Sequence, residues 1–144
     1  MIGPDFPRLT ATNHRITSLA TTDYNCIAWA TGDTTFWWQP GVHWPIPADA
    51  SAVGIDSLVH ALSAIEYELC NDGSIEPGFE KVALYGISSQ LFYTHAARQL
   101  RNGKWTSKMG GAEDIEHDDP NDVSGGLYGN IVHFMRRVIK TESP

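Results

Sequence analysis

Cysteine is scarce in this chain: 144 residues contain two, Cys26 and Cys70. A small secreted domain stapled by disulfides carries more, so two thiols fit a reducing compartment. Basic residues are scarce too, with 10 Lys and Arg against 17 Asp and Glu and a formal charge of −7. Phosphate backbones require dense positive charge, which argues against nucleic acid as a partner. The one tight basic cluster, Arg136, Arg137 and Lys140, is explained by a solvated face. An acidic surface suits instead a protein partner with a basic one. Nothing approaches the roughly 20 apolar residues that span a bilayer, and the opening MIGPDFPRLTATNHR lacks the apolar core of a signal peptide. The expectation is a soluble, cytoplasmic protein with no membrane partner, export by a non-classical route being the alternative. Close ligand pairs such as Cys-x-x-Cys or His-Glu-x-x-His are missing, so neither a metal nor another cofactor is expected. The alternative zinc site would draw on Cys26, His95 and His117, with water in the fourth position.

What is there is an ordinary globular mixture, 42% hydrophobic and 19% charged, able to bury a core. No repeat or linker divides it, so residues 1–144 read as one domain with 1–21 as an irregular arm. Asp23 to Ala30 looks helical, capped by Thr22 or Asp23 and ended by Gly32. Residues 33–49 hold Trp37, Trp38, Trp44 and four chain breakers, an aromatic loop. Residues 51–70 read as the clearest helix, with Ser51 as cap and Val53, Leu58, Leu62, Ile65 and Leu69 as one apolar stripe. Strands follow at Lys81–Ile87, Leu91–Leu100 and Trp105–Met109, the last two joined by the Asn102-Gly103 turn. Gly110-Gly111 breaks the third. Residues 112–126 read as an acidic loop. Tyr128–Ile139 reads as a strand at its start, with a helix or a strand leading into a helix as alternatives. Helices first and strands later make an α+β arrangement.

A thiol becomes a useful nucleophile as thiolate, which a helix N-terminus and a nearby imidazolium favour. Cys26 lies about one turn into the first expected helix, where unpaired N–H groups favour negative charge. His95 lies mid-strand before the small residues Ala96 and Ala97, where an imidazole can face a helix terminus and act as base. Taken singly, a buried small thiol and a hydrogen-bonded core histidine explain these two residues as well. Arg98 is either a carboxylate ligand or half of a surface pair, and Cys70 is structural.

Tyr24-Asn-Cys-Ile-Ala-Trp-Ala30, Trp37-Trp38, His95-Ala-Ala-Arg-Gln-Leu100, Trp105-Thr-Ser-Lys-Met-Gly110, Asp114-Ile-Glu-His117 and Tyr128-Gly129 resemble the motifs of a family of small uncharacterised bacterial proteins. The order of a Cys on a helix, a His on the second strand, a Gly-containing hairpin and a later polar residue also resembles the papain-like fold of NlpC/P60 cell-wall peptidases. That resemblance implies N-terminal helices, the first bearing the nucleophile, packed on a small antiparallel sheet. It also implies a thiol-dependent hydrolase or acyl transferase acting on an amide bond of a peptide or similar substrate, as a peptidase, amidase or deamidase. A toxin or effector role is compatible with it.

The third member should hold the imidazole in the productive tautomer. The peptidase pattern favours Ser107, on the strand after the His. A carboxylate orients imidazole better, so Asp114 is preferred, with His117 and Ser107 as alternatives. The Cys26 N–H is the natural oxyanion donor. Papain-like enzymes add a side-chain amide upstream of the Cys; Asn25 and Asn13 are the amides available, neither at the family's spacing. Tyr24 would shape the approach to the thiol, and Trp37 and Trp38 would wall a substrate groove. The competing reading is a binding module that keeps the fold without the catalysis.

Overall fold

The computed structural model describes residues 3–49, 51–87, 92–109 and 112–139. The expected strand start at Leu91, the Gly110-Gly111 break and Lys140 lie outside the described residues. The elements are β1 (His14–Ile16), α1 (Cys26–Thr31), α2 (Ile55–Ser63), β2 (Glu68–Cys70), β3 (Phe79–Ile87), β4 (Phe92–Gln99), β5 (Trp105–Lys108), β6 (Asp114–His117) and β7 (Asn130–Val138), with a 3-10 turn at Pro120–Val123 between the last two strands. The strands form one antiparallel sheet in the order β1-β6-β5-β4-β3-β7-β2.

This architecture corrects the α+β, papain-like expectation. The protein is mainly β, a seven-stranded antiparallel sheet with two short helices, and its first element is a strand. The expected helix over 51–70 is nine residues long. Ile55, Leu58, Ala61 and Leu62 supply its buried face. The chain then turns at Glu66, a non-glycine residue at φ 78°, and Glu68–Cys70 joins the sheet edge beside β7. Ser51 does not cap that helix; its N–H bonds Asp49 in the preceding turn, and Gly54 holds the N-cap position. Part of the expected arm is β1, and part of the expected acidic loop is β6, which pair with each other.

The sheet has a core on each face. On one, Ile27, Ala28 and Ala30 of α1 and Leu58 and Leu62 of α2 pack on Val82, Leu84, Ala96 and Met135. On the other, Phe6, Leu9, Val123 and Tyr128 cover Ala83, Tyr85, Ala97, Trp105 and Ile115. Successive strand residues point to opposite faces. A central strand covered on both sides therefore reads as the unbroken apolar run Val82 to Tyr85, all buried.

Two departures from regularity shape the middle of the sheet. Opposite β3, the register jumps from Tyr85↔His95 to Gly86↔Tyr93, leaving Thr94 as a bulge immediately before His95. Gly86 permits this, since a Cβ there would lie 2.6 Å from the Phe92 carbonyl oxygen. Secondly, β4 pairs β5 through Arg98↔Thr106 and Gln99↔Trp105. The half of β4 that carries His95 and Ala96 has no paired residue on β5, so the sheet is open there.

Candidate functional site

Asn25 is the N-cap of α1, in extended geometry, with its Oδ1 accepting from the Ala28 N–H at 3.2 Å. Cys26 is thus the first helical residue, not one turn in. Gly32 ends the helix at φ 89°, a left-handed conformation that suits glycine. The same Asn25 side chain accepts from Trp38 N–H at 3.1 Å and donates to the Trp38 carbonyl at 2.7 Å. Both ends of its amide are committed to holding the cap and the aromatic loop, with one Nδ2 hydrogen beyond the bond to Trp38. Asn13 bonds locally, to Thr10 N–H and the Arg8 carbonyl.

Cys26 retains some solvent contact and packs on the helix-side core. Burial pushes its thiol up to about 11, although the N–H groups of Ala96, Ile27 and Cys26 itself and the charge of Lys108 pull the other way. The Ala96 N–H acts on the sulfur from beside the sheet opening.

His95 is fully buried and belongs to the other face. Its ring lies parallel to Tyr128 with centroids 4.0 Å apart and tilted 5.1 Å from Tyr85. Thr94, the bulge residue, donates through its hydroxyl to the Tyr128 carbonyl at 2.5 Å and so fixes the segment that covers the imidazole. His95 Nε2 lies 3.0 Å from Ser107 Oγ, Ser107 Oγ lies 2.7 Å from His117 Nε2, and His117 Nδ1 lies 2.9 Å from the Asp119 carbonyl oxygen.

The proton positions in this chain follow from its last member. A carbonyl oxygen accepts and never donates, so His117 Nδ1 carries the hydrogen. Burial holds both imidazoles below their ordinary values, His95 far below, so both are neutral at pH 7. His117 Nε2 is then an acceptor, and the single Ser107 hydrogen points to it. Ser107 Oγ must accept from His95, which puts the His95 hydrogen on Nε2 and leaves Nδ1 as a bare lone pair. That Nδ1 is buried and has no hydrogen-bond partner among the described residues.

Ser107, not Asp114, therefore occupies the position beside His95. Alternation gives the reason. Ser107 pairs with Ile115 and Trp105 with His117, all on the His95 face, whereas Asp114 pairs with Lys108 on the helix face. There Asp114 Oδ2 accepts from Tyr24 Oη at 2.7 Å, and the Lys108 ammonium sits 5.3 Å from the Tyr24 ring centroid. Tyr24 also stacks on Trp29; burial, with Asp114 beside it, pushes the phenol up to about 12. Trp38 is a buried core residue whose indole N–H donates to Asp33 at 2.6 Å, and Trp37 is half-buried. The residues that sequence reasoning missed are Tyr128 as the stacking cover, Thr94 as its anchor, the Ala96 N–H and the Asp119 carbonyl. Cys26 and His95 form no hydrogen bond with each other. They approach the sheet opening from its two faces, and Tyr128 borders both, stacked on the imidazole and within electrostatic reach of the thiol. No group of three or more His, Cys, Asp or Glu arranged to hold a metal occurs among the described residues, and no helix of the described residues is long and apolar enough to cross a membrane.

Fold and site together define a mainly antiparallel β protein with a helix-borne thiol and a buried imidazole relay at an opening in its sheet. The chain belongs to the family described as a domain of unknown function, DUF7689, whose model matches residues 15–136. No curated protein and no solved structure matches it.

Proposed function

We propose that the protein is a thiol-dependent hydrolase or acyl transferase acting on an amide bond, with Cys26 as nucleophile and His95 Nδ1 as its base. The observation that carries this reading is the lone pair on His95 Nδ1. It is buried and unpartnered, while the N–H of the adjacent Ala96 favours the Cys26 thiolate. A buried acceptor left without a donor costs about 1–3 kcal/mol, a cost that a purely structural histidine has no reason to retain. In the reaction the thiol proton passes to Nδ1 as sulfur attacks the carbonyl carbon. The oxyanion takes N–H groups at the start of α1. The Nδ1 proton then passes to the leaving amine, and water or an acceptor amine cleaves the thioester. Because both partners rest neutral, the thiolate forms only as attack proceeds, and the reading requires that thiol and Nδ1 come together when substrate is bound. The substrate is an amide-bearing molecule, with a peptide as the simplest case.

The raised thiol favours a second reading, a binding module in which Cys26 and His95 are core groups. Alkylation by iodoacetamide, followed by intact mass, separates the two, with Cys70 as internal reference. The catalytic reading expects Cys26 to react faster than Cys70 at pH 7 and His95→Gln to slow it by at least about tenfold. Cys26 modification that is indifferent to His95→Gln and climbs tenfold per pH unit, as for an isolated thiol, would sink it.

A further inference from the structure

A cleft of about 420 Å³ lies on the sheet away from the thiol, between the segment from Ile75 to Glu80 and the end of β4 with its hairpin. Neither Cys26 nor His95 lines it. Its size is that of a small-molecule site. Ile75, Pro77, Phe79, Leu100 and Ile139 give it apolar walls, and Arg98 and Arg101 bring positive charge.

Arg98 is half-buried, unlike Arg8 and Arg101, which are exposed and also hold no carboxylate. The chain has an excess of acidic residues, and Arg15, Arg136 and Arg137 each hold a carboxylate. The Arg98 side chain makes no hydrogen bond and no ion pair among the described residues, although Glu80 and Asp114 lie within electrostatic reach. Its guanidinium carbon lies 4.8 Å from the Trp29 ring centroid, and this stack fixes the plane of the group. Its Nε is buried without an acceptor. The two terminal nitrogens lack protein partners but are not buried, so they meet solvent. The acidic groups of the cleft are already engaged, Glu76 by Lys81 and Arg136 and Glu80 by Arg137. A planar, immobilised fork of donors without a carboxylate, beside an apolar wall, is what a bidentate carboxylate site requires.

We infer that this cleft binds a small organic carboxylate, its charged end on Arg98 and its apolar body against Leu100, which alternation places on the same face of the sheet. The inference does not depend on the thiol chemistry, because binding is read directly. The test is amide-resolved NMR titration of the wild-type chain with hexanoate, with hexanamide and inorganic phosphate as parallel probes. Saturable shifts of the Phe79 and Arg98–Arg101 amides with hexanoate, and much weaker ones with the other two, are expected. Arg98→Gln should weaken hexanoate by at least about tenfold, and Arg101→Gln by less than about twofold, as for an exposed charge. Arg98→Lys keeps the charge and loses the fork, so it also weakens binding, and it decides the matter should Arg98→Gln not fold. Equal binding of hexanamide, equal or tighter binding of phosphate, or unchanged affinity in Arg98→Lys would each overturn the inference.

Discussion

Ser107 has one hydroxyl hydrogen, and its direction decides which nitrogen of His95 is basic. The chain from the Asp119 carbonyl through His117 and Ser107 leaves no freedom in that choice. Imidazole nitrogen chemical shifts at pH 7 should therefore show His95 protonated at Nε2 and His117 at Nδ1. The reverse pattern would remove the lone pair from Nδ1 and with it the base. Ser107→Ala should strand two buried groups, the His95 N–H and the His117 acceptor, at about 1–3 kcal/mol each, read as a lower urea midpoint. It should also slow Cys26 alkylation, an effect that a merely structural serine would not produce.

At the scale of elements, Asn25 does the work of two residues, capping α1 and pinning Trp38. Asn25→Ala should cost about 1–2 kcal/mol for the cap alone, and more with the loop released. Asn25→Asp keeps both acceptor bonds and should lose less in the same urea titration. This double role was not legible in the sequence, where Thr22 and Asp23 offered equally good caps. Strands β3 to β5 were legible, because their apolar runs and the Asn102-Gly103 turn are local signals; the Leu100 N–H closes that turn on the Lys104 carbonyl at 2.7 Å. Strands β1, β2 and β6 were not, since each has three or four residues and takes its conformation from its neighbour. The face of Asp114 follows from pairing register, which the strand pattern implies only once β6 is known to be a strand. For Ser107 the hairpin was enough. Its turn pairs Gln99 with Trp105, and parity then puts Ser107 on the side of His95.

The whole molecule combines these buried groups into a dependence of stability on pH. His95 and His117 have folded values below the ordinary histidine value of about 6.5. As pH falls through 6.5, the unfolded chain takes up protons that the folded one refuses. Stability is therefore full above about 6.5 and falls toward the lowered folded values, by about 1.4 kcal/mol per pH unit for each proton. Asp122, raised by burial, runs the other way: its contribution is present below its unfolded value and is lost as pH rises. Asp33, whose value is lowered despite burial by hydrogen bonds from Trp38, Thr35 and Phe36, acts only below about pH 4. On the alkaline side, Cys26 unfolded loses its proton near 8.5 and folded near 11, so stability falls again as pH rises between them. Urea midpoints should therefore peak between about pH 7 and 8 and fall on both sides. Cys26→Ser should make the alkaline limb shallower, the remainder coming from Cys70 and the buried tyrosines, and leave the acid limb unchanged. A midpoint that stays level from pH 7 to 5 would mean that the two imidazoles admit protons in the folded state, and the neutral relay that makes Nδ1 a base would not exist.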